Sequence, residues 1–286
     1  MFIDSHTHIF NSPVIENVVK KTEMVRRLHL ETDIAYKRIG VDTLENEMKA
    51  ANIDACLILP TADAENIKKI NSMFLEITEI SKSIYTACTL HPEYSNNKEE
   101  LRRFKEKNIR GIKLCSFSQG FALCSAKALD LFDMIRDENK YNECKFFIVL
   151  DTFYDASAFF GTDPKNNTTP ALFGDLVKNY PEIKFIGAHM GGLNAPFKEI
   201  LKYLSPAENL YLDTSNAAHT LENSEFLQLL KLHGPDRILF GTDWPWFGYK
   251  SEINLIQNFI NNAGFTENHK AAVFGGNIAK LLGIVS

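Results

Sequence analysis

The chain has 286 residues, of which 45% are apolar, and its formal net charge at pH 7 is −5. This acidic balance, without a basic tract, argues against a nucleic-acid partner, and no apolar run reaches the ~18–20 residues that span a bilayer. The first residues carry Asp4 and two histidines where a signal peptide would have a basic region and then an apolar run. We therefore predict a cytoplasmic protein whose five cysteines are free thiols.

Short apolar runs alternate with longer amphipathic segments along the whole chain. Eight short runs predict strands: Phe2–His8, Ala55–Pro60, Ile84–Leu90, Gly111–Cys115, Lys145–Asp151, Lys184–His189, Leu210–Thr214 and Ile238–Thr242. Each run is almost continuously apolar, which is typical of a parallel sheet that is buried on both faces.

The longer segments predict helices between these strands and after the last one. They are Leu44–Ala51, Asp63–Ser81, Lys98–Asn108, Ser125–Asn139, Pro170–Asn179, Ala195–Tyr203, Leu221–His233 and Glu252–Asn262. The second shows helical periodicity, and we expect one buried face composed of Ile67, Ile70, Phe74, Ile77 and Ile80. Two further segments, Asn11–Asp42 and Thr152–Thr169, follow strands and predict loops that wall the substrate site, the first with helices of its own.

Eight alternating strands and helices predict one α/β domain over residues 1–286, a (β/α)8 TIM barrel. An open doubly wound sheet is the competing fold. The turn after the first strand, His8-Ile9-Phe10-Asn11-Ser12, contains no glycine, so no dinucleotide or phosphate loop is indicated.

The first predicted strand contains two histidines two residues apart, His6 and His8. Because side chains alternate along a strand, both imidazoles point to the same face and form a ready pair of metal ligands. A strand with a polar face explains the same spacing. Asp4 precedes them as a partner of the site or as a salt-bridge residue.

Other polar residues stand where predicted strands end. In a barrel these ends converge on one mouth, which is where active sites form. The residues concerned are His91 after the third strand, Lys113 in the fourth, Asp151 at the end of the fifth, His189 at the end of the sixth and Asp243 after the eighth. A metal site at this end of the barrel is the simplest explanation for why these polar residues stand at strand ends.

Four segments together resemble the metal-dependent amidohydrolase superfamily, in its "amidohydrolase 2" branch. They are Asp4-Ser5-His6-Thr7-His8, Gly111-Ile112-Lys113-Leu114, Ile186-Gly187-Ala188-His189-Met190-Gly191-Gly192 and Phe240-Gly241-Thr242-Asp243-Trp244-Pro245. Their order and spacing cover essentially the whole chain. The branch includes aminocarboxymuconate-type decarboxylases and lactone hydrolases.

The resemblance implies one divalent metal ion, usually zinc, with His6, His8, Asp151 and Asp243 as ligands. The family pattern has histidine at the end of strand five, whereas this chain has Asp151. Two carboxylate ligands give the site a harder set of donor atoms than the usual one. Mn²⁺ and Fe²⁺ therefore compete with Zn²⁺ for it. The other interpretation of this departure is a weakened or lost metal site.

From these positions we predict a hydrolase that acts on an amide, ester or lactone bond of a small, carboxylated substrate. Asp243 would accept the proton of the attacking water, and His189 would orient the water or polarise a substrate carbonyl. A metal-dependent decarboxylase of the same family is the alternative. A barrel that binds a ligand without turnover is the alternative from another class.

Three more residues are candidates for substrate contact, namely Lys113, His91 and Trp244. Lys113 would bind a substrate carboxylate, or be carboxylated itself and bridge metals as in binuclear relatives. His91 precedes Pro92 and is otherwise a turn residue. Trp244, with the aromatic residues after it, would wall a planar substrate or else belong to the core. The resemblance also allows a homodimer.

Overall fold

The structure, a computed structural model, describes residues 1–141 and 145–284. Its strands are β1 (Ile3–Thr7), β2 (Ala55–Ile58), β3 (Ile84–Thr89), β4 (Gly111–Leu114), β5 (Phe147–Leu150), β6 (Lys184–Gly187), β7 (Leu210–Asp213) and β8 (Ile238–Leu239). They form one sheet in chain order, and the pairs that run from β3 to β7 are parallel, as is β1 with β2. This is the predicted (β/α)8 barrel fold, and all eight predicted strands are confirmed.

The helices of the described residues follow the same alternation. They are α1 (Ser12–Val19), α2 (Thr22–Arg27), α3 (Thr32–Ala35), α4 (Val41–Ala51), α5 (Ile67–Ile80), α6 (Asn97–Glu106), α7 (Ser116–Gln119), α8 (Ala126–Tyr141), α9 (Ala156–Phe160), α10 (Pro170–Asn179), α11 (Phe197–Tyr203), α12 (Ala217–Thr220), α13 (Asn223–His233), α14 (Tyr249–Asn262), α15 (Glu267–Ala271) and α16 (Asn277–Leu282). The eight predicted helices are confirmed, and the segment after β1 carries α1 to α3 as expected. Among the described residues, no helix has both the length and the apolar character that a membrane span requires.

The packing of the main chain divides the chain into two compact units. The first contains residues 1–59, 81–85 and 213–286, and the second contains residues 60–80 and 86–212. Both are rich in fully buried strand residues, as expected for strands that are covered on both faces. That the whole chain forms a single domain stays a prediction.

In the first unit, β1 is held by β2 on one side and by the residues that follow β8 on the other. Ser5 N donates to Phe240 O at 2.8 Å, and Asp243 N donates to His6 O at 2.9 Å. The last predicted strand was Ile238–Thr242, but only its first two residues are assigned to β8. The hydrogen bonds to β1 nevertheless continue beyond β8 and fix the main chain there.

The segment that carries α1 to α3 is fastened to the loop after β8 by one buried guanidinium. Arg38 donates from Nη1 to Pro245 O at 3.1 Å and from Nε to Glu47 Oε1 at 3.1 Å, and Glu31 Oε2 lies 3.4 Å from Nη1. A Cβ at Gly248 would lie 2.6 Å from Arg38 Nη2, so a larger residue there would shift this end of the arginine side chain. The inserted segment is thus tied to the residues that directly follow Asp243.

In the second unit, α5 buries a face that only partly coincides with the one its sequence predicts. The buried residues are Ile67, Asn71 and Leu75, whereas Ile80 is 86% exposed. The Asn71 amide donates to Thr89 O at 2.9 Å and accepts from Thr89 N at 2.8 Å, which satisfies the main chain at the end of β3. The predicted face is thus partly buried, and Asn71 adds a buried polar side chain that the apolar pattern does not include.

Stability should depend on pH through His233, which ends α13 with its ring buried. Burial lowers the pKa of His233 from 6.5 to about 4. The unfolded chain takes up this proton near pH 6.5 and the folded chain only near pH 4. The folded state therefore loses up to about 3 kcal/mol of stability as the pH falls through this window.

We expect His233→Phe to remove this dependence, because the variant has no group there to protonate. The free energy of unfolding, measured by urea denaturation between pH 6.5 and 4, should then fall less steeply than in the wild type. His29→Asn is the matched control, since His29 is exposed and has a left-handed backbone that asparagine tolerates. Equal slopes for wild type and His233→Phe would contradict the assignment.

Candidate metal site

Three side chains of the first unit point their ligand atoms at one position. His6 Nε2 and His8 Nε2 are 3.0 Å apart, and Asp243 Oδ1 lies 3.8 Å from the first and 3.6 Å from the second. All three residues are at most 8% exposed. The structure thus brings together three of the four predicted ligands, and this group could hold a metal ion.

Local backbone geometry sets the position of these side chains. Strand alternation places both imidazoles on one face of β1, as predicted. Asp243 has a left-handed backbone with φ 62°, a strained conformation for a residue other than glycine. A Cβ at Gly241 would lie 2.9 Å from the Cβ of His6, so only glycine lets β1 and the chain after β8 approach this closely.

The orientation of the His6 ring is fixed by a buried carboxylate. His6 Nδ1 lies 2.9 Å from Oδ2 of Asp213, which is 0% exposed, and 3.2 Å from the Ser215 hydroxyl. That hydroxyl in turn donates to Asp213 Oδ1. Since a carboxylate only accepts hydrogen bonds, Nδ1 carries the proton and the lone pair of His6 is on Nε2.

The His8 ring is oriented in the same sense by a main-chain carbonyl. His8 Nδ1 donates to Leu59 O at 3.1 Å, and the ring stacks on Phe10 with centroids 4.8 Å apart. The lone pair of His8 is therefore on Nε2 as well. Two nitrogen lone pairs and a carboxylate oxygen facing one another repel, and a cation between them removes that repulsion.

The distances between these atoms fit a tetrahedral metal site. Zn²⁺ binds imidazole nitrogen and carboxylate oxygen at about 2.0–2.2 Å, which separates two tetrahedral ligands by roughly 3.3 Å. The observed separations of 3.0–3.8 Å bracket that value. Zinc, manganese and iron all accept such a set of ligands. The residues therefore fit a divalent ion.

Asp4 supports the site through the main chain. Its Oδ1 accepts from His6 N at 2.9 Å and Thr242 N at 3.0 Å, and its Oδ2 accepts from the Thr242 hydroxyl at 2.5 Å. Burial raises the pKa of Asp4 to about 7, although these hydrogen bonds oppose the shift. Asp4 thus joins β1 to the chain after β8, which agrees with a role as partner of the site.

In the second unit, Asp151 lies close to Lys113 and His189. Asp151 Oδ2 lies 3.8 Å from Lys113 Nζ and 4.0 Å from His189 Nε2, and Asp151 Oδ1 accepts from Phe153 N at 3.2 Å. Lys113 is 1% exposed, and no described residue accepts a hydrogen bond from its Nζ. The ligand role of Asp151 and the catalytic role of His189 stay predictions.

His91 is held by the main chain through both ring nitrogens. His91 Nε2 donates to Gln119 O at 2.8 Å, and Nδ1 accepts from Glu93 N at 3.0 Å. Gln119, which the sequence did not single out, donates its amide to Leu90 O at 2.9 Å. A substrate would have to replace one of the His91 bonds, so this geometry favours a turn residue.

Trp244 is buried completely, with its indole nitrogen 3.3 Å from Glu47 Oε2. Its main-chain oxygen accepts from His8 N at 2.7 Å. This placement favours a packing role beside the site, and contact with a substrate stays a prediction. Trp246 is 6% exposed, and the centroid of its ring lies 5.8 Å from that of Phe10, which stacks on His8.

Asp213 is the functional residue that the sequence reasoning missed. It ends β7, and the sequence does place it inside the predicted strand Leu210–Thr214. Applying the strand-end argument to that strand would have found it. Its partner Ser215 carries no signal in the sequence, because a single serine in a loop is common.

Comparison with known proteins places the chain in a family. Residues 3–284 match the model of the amidohydrolase family, whereas no curated protein sequence matches the chain. Similar solved structures include an uncharacterised TIM-barrel protein from Bordetella bronchiseptica, with a TM-score of 0.72 and 15% identity over 99% of this chain and 98% of that one.

Two further structures have enzymatic titles. The 5-carboxyvanillate decarboxylase from Sphingomonas paucimobilis has a TM-score of 0.68 and 15% identity over 99% of both chains. An amidohydrolase from Burkholderia multivorans with bound zinc has a TM-score of 0.69 and 13% identity over 100% of both chains. At these identities the likeness shows the fold alone.

The chain belongs to the amidohydrolase family, which confirms the resemblance noted from its motifs. It is therefore an enzyme of the amidohydrolase type, in a family of metal-dependent enzymes that act on small molecules.

Removing the charge of Asp213 should weaken metal binding without changing any candidate ligand. In Asp213→Asn the His6 ring loses the carboxylate that fixes its orientation, and we expect zinc affinity to fall about 10–100-fold. Competition with a chromogenic chelator measures this change. Asp236→Asn, at an exposed aspartate of the same unit, is the control. Unchanged affinity in a folded Asp213→Asn variant would contradict the role.

Proposed function

We propose that this enzyme binds one divalent metal ion, zinc first among the candidates, through His6, His8 and Asp243. We propose further that it hydrolyses an amide, ester or lactone bond of a small, carboxylated substrate. The observation that carries the proposal is the convergence of two imidazole lone pairs and a carboxylate oxygen within 3.0–3.8 Å. The acceptors on Asp213 and Leu59 leave no other tautomer that satisfies both rings.

The chemistry follows from the position of Asp243. A divalent ion at this site lowers the pKa of bound water toward about 7. The second carboxylate oxygen of Asp243 accepts the proton of the attacking water and passes it to the leaving group. Asp213 and Leu59 keep the two imidazoles oriented throughout, and Asp4 holds the main chain on which His6 and Asp243 stand.

Lys113 supports the carboxylated character of the substrate. A buried ammonium without a hydrogen-bond acceptor is costly, and the carboxylate of Asp151 at 3.8 Å is too distant to accept a hydrogen bond. A substrate carboxylate would supply that acceptor. A carboxylated Lys113 that bridges two metals is less well supported, because the candidate metal group of the described residues contains only His6, His8 and Asp243.

Decarboxylation is the second candidate reaction. One similar fold is that of a 5-carboxyvanillate decarboxylase, and Lys113 suits a carboxylate that is released as well as one that only binds. Both reactions use the same metal ligands. The reaction products therefore distinguish hydrolysis from decarboxylation, whereas the metal ligands do not.

The ligand role of Asp151 can be tested by restoring the histidine of the family pattern. We expect Asp151→His to raise zinc affinity about tenfold or more, because zinc prefers imidazole nitrogen to a second carboxylate. The measurement is the same chelator competition. Asp163→His, at an exposed aspartate, controls for the introduction of any histidine. Affinity that does not change in Asp151→His would count against its ligand role.

The reaction can be tested with protein purified without chelators. We expect about one equivalent of metal by elemental analysis and turnover of carboxylated lactones, esters or amides, both lost on treatment with dipicolinate and restored by zinc. Asp243→Asn should lower kcat at least ~100-fold, because it removes a ligand and the proton acceptor. Carbon dioxide release from ¹³C-carboxyl-labelled aromatic acids would instead identify a decarboxylase. Bound ligand without any turnover would identify a barrel that only binds.

A matched pair of substrates tests Lys113 in the same assay. Lys113→Gln should raise KM for a carboxylated ester and leave KM for its uncharged methyl ester unchanged. Equal effects on both substrates would contradict carboxylate binding and leave the metal chemistry in place.

We also propose a cytoplasmic protein that forms a homodimer. The location is supported by the cysteines, because Cys56, Cys88, Cys115 and Cys124 are free and the first three are buried thiols with raised pKa values. The fifth, Cys144, lies outside the described residues. The dimer rests on the family resemblance.

A further inference from the structure

One aromatic residue, Phe10, continues the row of side chains that contains the two candidate histidine ligands. Side chains alternate along an extended chain, so positions 6, 8 and 10 face the same way. The main-chain pairing does continue past β1, because His8 N donates to Trp244 O at 2.7 Å. The ring of Phe10 is nearly parallel to that of His8, at 10°, with centroids 4.8 Å apart. Phe10 thus lies against a ring whose Nε2 belongs to the candidate metal site.

Phe10 differs in exposure from the aromatic residues that follow Asp243. Trp244, Trp246 and Phe247 are all buried, whereas Phe10 is only partly buried. The ring of Trp246 lies beside that of Phe10, tilted at 44° with centroids 5.8 Å apart. The buried rings leave little surface for a ligand. Phe10 therefore presents aromatic surface next to a candidate ligand, which the sequence analysis expected of the residues after Asp243.

The position of Phe10 is fixed by the start of α1. Asn11 caps this helix, and its side chain accepts from Val14 N at 3.1 Å. Phe10 directly precedes the cap, where an apolar residue commonly packs on the fourth helical residue, here the buried Ile15. An apolar side chain of several shapes would serve such packing. The stacking on His8, in contrast, requires a planar ring.

We propose that Phe10 is a specificity-determining residue, whose exposed part selects substrates in which the carboxylate is attached to an aromatic ring. This rests on the proposed function, which places the substrate beside His6, His8 and Asp243. Aromatic rings pack on one another offset-stacked or edge to face, with centroids about 4.5–7 Å apart, and such pairs are more stable than their buried area alone provides. A substrate ring that packs on Phe10 gains this contact, and a saturated ring of the same size does not.

Two ring acids test this selection on the full-length, zinc-loaded protein. Benzoate and cyclohexanecarboxylate have equal numbers of carbon atoms and one carboxylate each, but only benzoate is planar. We expect the wild type to bind benzoate more tightly in isothermal titration calorimetry. Phe10→Leu should weaken benzoate binding about fivefold and change cyclohexanecarboxylate binding less than about twofold, because leucine is apolar but has no ring. Phe10→Tyr keeps the ring and should keep the preference.

Proton NMR observes the contact directly. In deuterated protein with protonated phenylalanine rings, the resonances of Phe10 are those that are absent from Phe10→Leu. We expect nuclear Overhauser effects between these protons and the ring protons of bound benzoate. A residue that only packed on α1 and His8 would show none. Zinc affinity, measured by chelator competition, should change less than about twofold in Phe10→Leu, because Phe10 offers no ligand atom.

The matched control is Phe265→Leu, at another partly exposed phenylalanine of the first unit, whose ring packs on His269 and not on a candidate ligand. It should change the binding of neither acid. Three results would overturn the inference: a wild type that binds benzoate no more tightly than cyclohexanecarboxylate, a Phe10→Leu variant that affects both acids equally, or no Overhauser effect from Phe10 to benzoate. Zinc content and turnover of the same samples report the proposed function separately. A zinc-loaded, active enzyme without this preference refutes this inference alone.

Discussion

The candidate site depends on the main-chain hydrogen bonds between β1 and the residues after β8. The bond from Asp243 N to His6 O sets the aspartate beside the imidazoles before any side chain contributes. The approach it requires excludes a Cβ at position 241 and forces a left-handed backbone at Asp243. Strain of this kind persists only where the surrounding structure fixes it. Asp4, bonded to both segments, is part of what fixes it here.

The hydrogen-bond acceptors around the candidate site orient the two imidazole rings. The Nδ1 atoms of His6 and His8 are bonded to acceptors of the protein, which turns both Nε2 lone pairs toward Asp243. The buried carboxylate of Asp213 also supplies negative charge behind the His6 ring, which increases the basicity of a metal ligand. The candidate site thus presents two imidazole lone pairs and a carboxylate oxygen that could hold a cation.

The sequence predicts the fold well because the signals are local. Nearly continuous apolar runs identify most of the strands, and strand alternation alone sets His6 and His8 on one face. The strand ends do bring Asp243 to these histidines. The sequence analysis misses interactions between residues that are far apart along the chain. Asn71 of α5 is buried and bonded to Thr89, 18 positions away, whereas Ile80 at the end of the same helix is exposed.

The contacts of the candidate site that the sequence analysis missed also join residues that are far apart along the chain. The partnership of Asp213 with His6 joins residues 207 positions apart, and neither residue alone indicates it. Asp151 is a different case, because the convergence of strand ends does predict its proximity to Lys113, whereas its departure from the family pattern leaves its role a prediction.

The buried guanidinium of Arg38 has a consequence for how this enzyme can diverge. Loops of barrel enzymes usually change length and sequence independently of one another. Here Arg38 bonds to Pro245 and Glu47 together, so the inserted segment and the loop that begins with Asp243 share one anchor. New specificities should therefore arise through paired changes in both segments, and a chimaera should inherit the two from the same parent.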